Sequence, residues 1–288
     1  MGIVAFDRRI TPARPDLALE SLRGLVEAER FVAGELARVS APSTPLRRTP
    51  SPDGAIDTEA LAGEAVLVIE RKDGFAFAQL KADGYVGYLE EAAIGADAPA
   101  PTHRISVARS FLYPAPSMKR PPLGHYGLGA MLAVTGESGD FARVSTGGAE
   151  GFIWRDHLRP LGDWEADPVS VAERLIGAPY LWGGKTSLGL DCSGLVQLAH
   201  AQCGRILPRD SDMQEREIGE LLPATPDLSG LERGDLVFWK GHVGLMRDAA
   251  TLLHANGHHM LVVSEPLAEA VARIQAKGGG PVTAVRRP

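Results

Sequence analysis

The sequence predicts a multidomain chain in which two small all-β modules precede an α+β domain. Short strand-like runs separated by Gly-containing turns fill residues 36–162. A pattern of about 60 residues occurs twice within that stretch. After Asp163 the spacing becomes helical and then returns to strands. A chain of 288 residues also exceeds what one ordinary core fills.

Composition narrows the function classes. The chain is 44% hydrophobic and 23% charged, as expected of a soluble globular protein. A formal charge of −6 argues against a nucleic-acid partner, which needs a concentrated basic face. No eighteen-residue apolar window is present, so no membrane partner is expected. The opening MGIVAFDRRI lacks the layout of a secretory signal, and the expected location is the cytoplasm. Cys192 and Cys203 make neither a disulfide framework nor a CxxC metal pair. On one helix they would stand roughly 16 Å apart, too far to bridge. Reduced thiols and no cofactor are expected.

Residues 1–35 are read as an N-terminal arm, with Leu22, Leu25, Val26 and Val32 spaced for a helix or a half-ordered segment. In residues 36–97, AVLVIE (65–70), FAFAQL (75–80) and YVGYL (85–89) are strands. Lys72-Asp73-Gly74 and Asp83-Gly84 turn the chain between them. Residues 96–103 read as a linker. Residues 104–162 repeat the plan: GAMLAVTGESGDFARVS and GGAEGFIWRDHLRPL parallel GEAVLVIERKDGFAFAQL and ADGYVGYLEEAAI. Each copy has the size of a small β-barrel. The pair resembles tandem bacterial SH3-like domains, with Gly87-Tyr88-Leu89 and Gly151-Phe152-Ile153-Trp154 in place of the usual Gly-Trp-Val.

In residues 165–288, PVSVAERLIGAPYLWGG suggests a helix ended by Gly177 and Pro179. DCSGLVQLAHAQCGRILP follows as a second helix with Gly204 at its C-cap. GDLVFWKGHVGLMRD and TLLHAN are strands, and VTAVRR supplies a final one.

The chemistry centres on Asp191-Cys192-Ser193-Gly194. A cysteine in the first turn of a helix meets outward-pointing N–H groups and the positive end of the macrodipole, and both favour thiolate. Asp191 is a good N-cap, and Ser193 and Gly194 leave the sulfur reachable. Cys203, in apolar company, fits ordinary core packing. A nucleophilic thiol needs a base. His242 heads one strand and His254 sits on the next, where cross-strand side chains lie about 4.5–5.5 Å apart. A metal site from Cys192, His242, His254 and a carboxylate fits the same spacing, though the helix-start position favours a nucleophile. His258 and His259 read as loop residues, and His200 points away from Cys192. Gly184-Lys185-Thr186 imitates a phosphate loop, but position 179 is Pro where that motif requires Gly.

Taken in order, Pro179-Tyr180-Leu181-Trp182-Gly183-Gly184, Asp191-Cys192-Ser193-Gly194-Leu195-Val196, Leu207-Pro208-Arg209-Asp210-Ser211, Gly234-Asp235-Leu236-Val237-Phe238, His242-Val243-Gly244 and His254-Ala255 resemble the NlpC-type bacterial cell-wall cysteine peptidases. The resemblance implies a papain-like α+β fold and hydrolysis of the γ-D-glutamyl–diamino acid bond of peptidoglycan peptides. It makes Cys192 the nucleophile, His242 the base, His254 the residue that orients it, and Tyr180 a contributor to the oxyanion site. Two SH3-like domains without an export signal resemble the intracellular enzymes that trim recycled muropeptides bearing a free N-terminal L-Ala. The resemblance then implies substrate contacts from Asp191, Ser193 and Ser211, and from Glu64 and Tyr85 of the first SH3-like domain. Val86 and Tyr88 replace that segment's usual proline and tryptophan. Arg209, Lys185 and Lys240 are the basic candidates for a substrate carboxylate. Two other readings remain open here: an exported peptidoglycan hydrolase with wall-targeting domains, and a non-catalytic wall-peptide binding protein.

Overall fold

The computed structural model describes residues 6–95, 99–223 and 228–288. The first five residues of the expected arm and residues 96–98 of the expected linker lie outside them. The chain divides into two compact units, one ending at Leu161 and one running from Gly162 to Pro288.

The expected helix in the arm does not form. Strands Ala13–Arg14, Leu17–Leu19 and Arg30–Val32 make a three-stranded sheet, with a single 3-10 turn at Glu20–Leu22. Gly24 at φ +81° interrupts any helix through Leu22, Leu25 and Val26. Leu17 and Leu19 pack instead with Ile69, Phe77 and Val86. Arg14 fastens the arm through a 2.5 Å bond to Glu70 and a 3.3 Å bond to the Tyr88 hydroxyl.

Next comes a seven-stranded sheet ordered Ile94–Gly95, Glu35–Val39, Ala65–Lys72, Phe75–Leu80, Val86–Glu90, Ser43–Arg47, Ile56–Leu61. The strands at 43–47 and 56–61 were not expected from the sequence. Asp73 (φ 52°) and Gly74 (φ 80°) close a two-residue hairpin between Lys72 and Phe75, the left-handed pair a tight antiparallel turn requires. A second assembly holds a five-stranded sheet and the hairpin Arg109–Leu112 with Gly124–Gly127. Its own core contains Ile105, Tyr126, Leu132, Val144 and Ile153. The internal repeat is physical: Ala65–Lys72, Phe75–Leu80 and Val86–Glu90 lead into a 3-10 turn, as do Met131–Ser138, Phe141–Ser145 and Glu150–Trp154. The first strand of each triplet carries a bulge at the same place, Val68/Glu70 and Val134/Gly136.

The C-terminal unit is α+β. Helix α1 (Pro168–Glu173) is capped by Asp167, α2 spans Cys192–Gln202, and α3 spans Ser211–Glu217. A six-stranded antiparallel sheet runs in the order Glu220–Leu222, Ala284–Arg287, Leu236–Trp239, His242–Met246, Thr251–Asn256, Leu261–Pro266. Helix α4 (Leu267–Ala276) seats Leu267 and Ala270 against Trp239, Met246 and Leu252 of that sheet. Every residue of α2 except Ala201 is buried, so its polar members Gln197, His200 and Gln202 are carried inside with the apolar ones. Gly194 permits the close fit of α2, because a Cβ there would lie 2.3 Å from the Gly184 carbonyl oxygen.

Candidate active site

Asp191 is the N-cap of α2, its Oδ1 accepting from the Gly194 N–H at 2.7 Å, which makes Cys192 the first helical residue. The backbone N–H of Val243 reaches the Cys192 sulfur, and Val243 directly follows His242. Cys192 and Cys203 are both free thiols, and Cys203 caps the end of α2, half-buried. Cys192 is 7% exposed. Burial, reinforced by the Asp191 charge, pushes its thiol up to about 12 against the pull of the Val243 and Ser193 N–H groups and Arg209. The sequence pointed to a thiolate at the helix start. Desolvation outweighs the helix terminus here, so the resting sulfur is a protonated thiol.

The two histidines meet as expected, but not as a directly opposed pair. Leu245 faces Leu253 and Met246 faces Leu252, a register that sets His254 across from Gly244, diagonal to His242. Gly244 gives the imidazole room: a Cβ there would lie 3.1 Å from that of His254. His242 Nε2 and His254 Nδ1 are 2.8 Å apart. Beyond them the next strand pairs Val263 with His254, which puts Glu265 diagonal on the same face. Glu265 Oε1 lies 2.6 Å from His254 Nε2, and Arg273 of α4 bonds both Glu265 oxygens. A diagonal row across three strands therefore runs His242, His254, Glu265. Asn256 Nδ2 also approaches His254 Nε2, at 2.9 Å. Burial depresses His242 to about 3, and it lowers His254 as well, opposed by Glu265. Burial works to raise Glu265, but the hydrogen bonds from His254 and Arg273 prevail and hold it at about 2.

Tyr180 is half-buried, its N–H bonded to the Met260 carbonyl at 2.9 Å. Burial, then the neighbouring Cys192 and Asp191, raise its phenol, which stays a hydrogen-bond donor. Among the described residues no group of three or more His, Cys, Asp or Glu side chains is arranged to hold a metal.

Asp191, the expected amine contact, is also engaged within the protein. Its Oδ1 accepts from Gly194 and from Arg209 Nη1 (2.9 Å), and its Oδ2 from Arg209 Nη2 (2.7 Å) and Gly183 (2.9 Å). The carboxylate is thus committed within the protein. Arg209, 1% exposed, also donates to the Ser193 hydroxyl at 2.9 Å. Ser211 opens α3, half-buried, Lys185 is buried, and Lys240 is exposed. Glu64 and Tyr85 belong to the other unit. Glu64 is half-buried, just after the turn at residues 62–63, and Tyr85, 3% exposed, lies in the core with Val66, Leu80 and Leu89.

Glu265, Asn256 and Arg273 escaped the sequence reading. Their signal was faint: LVVSEP has a strand composition ended by proline, and LAEAVARIQA is an amphipathic helix.

Comparison with known proteins fits this geometry. Residues 46–94 match the bacterial dipeptidyl-peptidase SH3 domain and residues 177–274 the NlpC/P60 family. A γ-D-glutamyl-L-lysine dipeptidyl-peptidase of Bacillus subtilis is 29% identical over 224 residues, covering 70% of this chain and 73% of that protein. Dipeptidyl-peptidase 6 of Lysinibacillus sphaericus is 38% identical over 89 residues, 31% of either chain. The crystal structure of an NlpC/P60 family protein from Bacillus cereus superposes with a TM-score of 0.72 at 19% identity, covering 88% of this chain and 99% of that one, a likeness of fold. The 177–274 match spans the helix bearing Cys192 and the strands bearing His242, His254 and Glu265, so this stretch is an NlpC/P60 domain, with a bacterial SH3 domain ahead of it at residues 46–94.

Proposed function

We propose that the protein is a cysteine endopeptidase that cleaves the γ-D-glutamyl–diamino acid bond of muropeptides with a free N-terminal L-Ala, in the cytoplasmic recycling of cell-wall peptides. The observation that carries the reading is Cys192 at the first position of α2, with the Val243 N–H on its sulfur and the His242–His254 pair beside Val243. The dipeptidyl-peptidase activity named for the Bacillus subtilis relative supports the bond and the free amino end. Two free thiols suit a reducing compartment.

In this reading His242 accepts the thiol proton as Sγ attacks the γ-carbonyl carbon. The oxyanion receives hydrogen bonds from the Cys192 N–H and the Tyr180 hydroxyl. His242 returns the proton to the departing amine as the C–N bond breaks. Water, deprotonated by the same imidazole, then hydrolyses the thioester and regenerates the thiol. The organisation proposed with it is an arm (1–35), two SH3-like domains (36–97 and 104–162) and the peptidase (165–288). The repeated strand triplet with its repeated bulge supports the second SH3-like copy.

The test is mass-spectrometric assay of L-Ala-γ-D-Glu-diaminopimelate and its N-acetylated form. Release of L-Ala-γ-D-Glu from the first alone is expected, and loss of turnover in C192A. Equal cleavage of both peptides removes the free-amine requirement, and an active C192A removes the nucleophile.

A further inference from the structure

We propose that Glu265 is a positioning residue that sets the tautomers of both active-site histidines, with Arg273 keeping it an acceptor. Two groups compete for His254 Nε2, and they have opposite consequences. Asn256 Oδ1 is occupied by the N–H groups of His258 (3.1 Å) and His259 (2.8 Å), so its amide nitrogen is the end that faces His254. If that amide donated to Nε2, the His254 proton would reside on Nδ1 and point at His242 Nε2. His242 would then carry its own proton on Nδ1 and could accept none there. If instead Nε2–H donates to Glu265, His254 Nδ1 becomes an acceptor, His242 donates to it through Nε2–H, and His242 Nδ1 is left with the lone pair a base requires.

The geometry decides for Glu265. Its contact is the shorter, 2.6 Å against 2.9 Å. Both of its oxygens are bonded by Arg273, which stabilises the anion, and an anion facing a bare nitrogen lone pair at that distance would be strongly repelled. The remaining titratable neighbour, His259, has its Nδ1 4.0 Å from Glu265 Oε1 and 3.1 Å from Asn256 Oδ1. When His242 takes a proton in the reaction, the same carboxylate offsets the imidazolium charge through His254.

This inference rests on the proposed peptidase reading only for its kinetic arm. E265Q separates it from a structural role, because it keeps the shape but removes the anion, leaving the Asn256 amide as the donor to His254 Nε2 and so reversing the chain of donors. Histidine-selective ¹⁵N NMR of the wild-type chain should show Nε2–H on both His242 and His254; Nδ1–H on resting His242 overturns the proposal without any mutation. In E265Q the pattern should change to Nδ1–H on both. Iodoacetamide labelling of Cys192 at pH 7 should slow at least tenfold, and kcat should fall about 100-fold with KM nearly unchanged, by analogy with tautomer reversal in a serine triad. E265D should recover part of each. An E265Q protein with wild-type labelling rate and tautomers overturns the proposal, and those two readouts stand even if the muropeptide is not the substrate.

Discussion

Asp191, the residue immediately before Cys192, and Arg209 are joined by two parallel hydrogen bonds, Nη1 to Oδ1 at 2.9 Å and Nη2 to Oδ2 at 2.7 Å. The pair is nearly inaccessible, with side-chain exposures of 1% for Arg209 and 12% for Asp191. Asp191→Asn keeps a good N-cap but removes the charge that compensates a buried guanidinium. The expected loss is about 3–5 kcal/mol, the usual cost of breaking a buried pair from one side. Urea denaturation of the variant measures it; a loss no larger than about 1 kcal/mol, typical of a cap alone, would show the ion pair contributes little.

Gly194 lies in the first turn of α2, where helix propensity alone says alanine should stabilise by about 1 kcal/mol. The structure reverses the sign. An added Cβ would sit 2.3 Å from the Gly184 carbonyl oxygen, a backbone atom, and would force α2 away from the 184 segment and Arg209. Gly194→Ala is expected to lower the thermal midpoint and to cut Cys192 activity together. A more stable G194A protein would contradict the packing described.

His200 is fully buried in α2, and neither ring nitrogen has a hydrogen-bond partner among the described residues. Burial lowers it to about 4. An unfolded histidine titrates near 6.5, so the unfolded chain binds more protons between those values. The stability it contributes is therefore complete above about pH 6.5 and is lost as pH falls toward 4, by about 3 kcal/mol at the limit. His200→Leu should flatten the urea midpoint between pH 6.5 and 4.5 and raise it at neutral pH, since two unsatisfied buried nitrogens disappear. An unchanged pH slope in the variant would place the acid sensitivity elsewhere.

The sequence disclosed the C-terminal unit best where short-range signals agree. Asp191 before a cysteine marked the start of α2, and Gly204 its end. His242 and His254 were found as histidines on successive strands, because strand identity follows from composition within a few residues. Their diagonal offset was not legible: register depends on which residues face each other across the pair, and on Gly244 being too small to push His254 aside. Glu265 and Arg273 were missed for the same reason, as carboxylates and guanidinia are ordinary on strand ends and helices until register brings them together. The pairing of Asp191 with Arg209 was not legible either, because nothing local says that Arg209, eighteen residues on, folds back onto it. In the arm, one glycine at positive φ overrode helical spacing.

In the proposed reaction the depressed His242 sets the acid limit. The imidazole works as a base only when neutral, and burial holds it at about 3 rather than near 6.5, with His254, Glu265 and Arg273 the ionisable groups that act on it. The sign is that of a group kept uncharged: its base form persists as pH falls, and is lost only on approaching the folded value. An ordinary imidazole would be mostly protonated at pH 5, costing kcat/KM roughly thirtyfold relative to pH 7.5. Here kcat/KM at pH 5 should stay within about threefold of its neutral value, provided far-ultraviolet circular dichroism shows the chain still folded despite the charging of His200. Short assays in H200L remove that competing loss. An acid limb with a midpoint near 6.5 in a folded H200L protein would show that His242 is solvated in the working enzyme and that its environment differs from the one described.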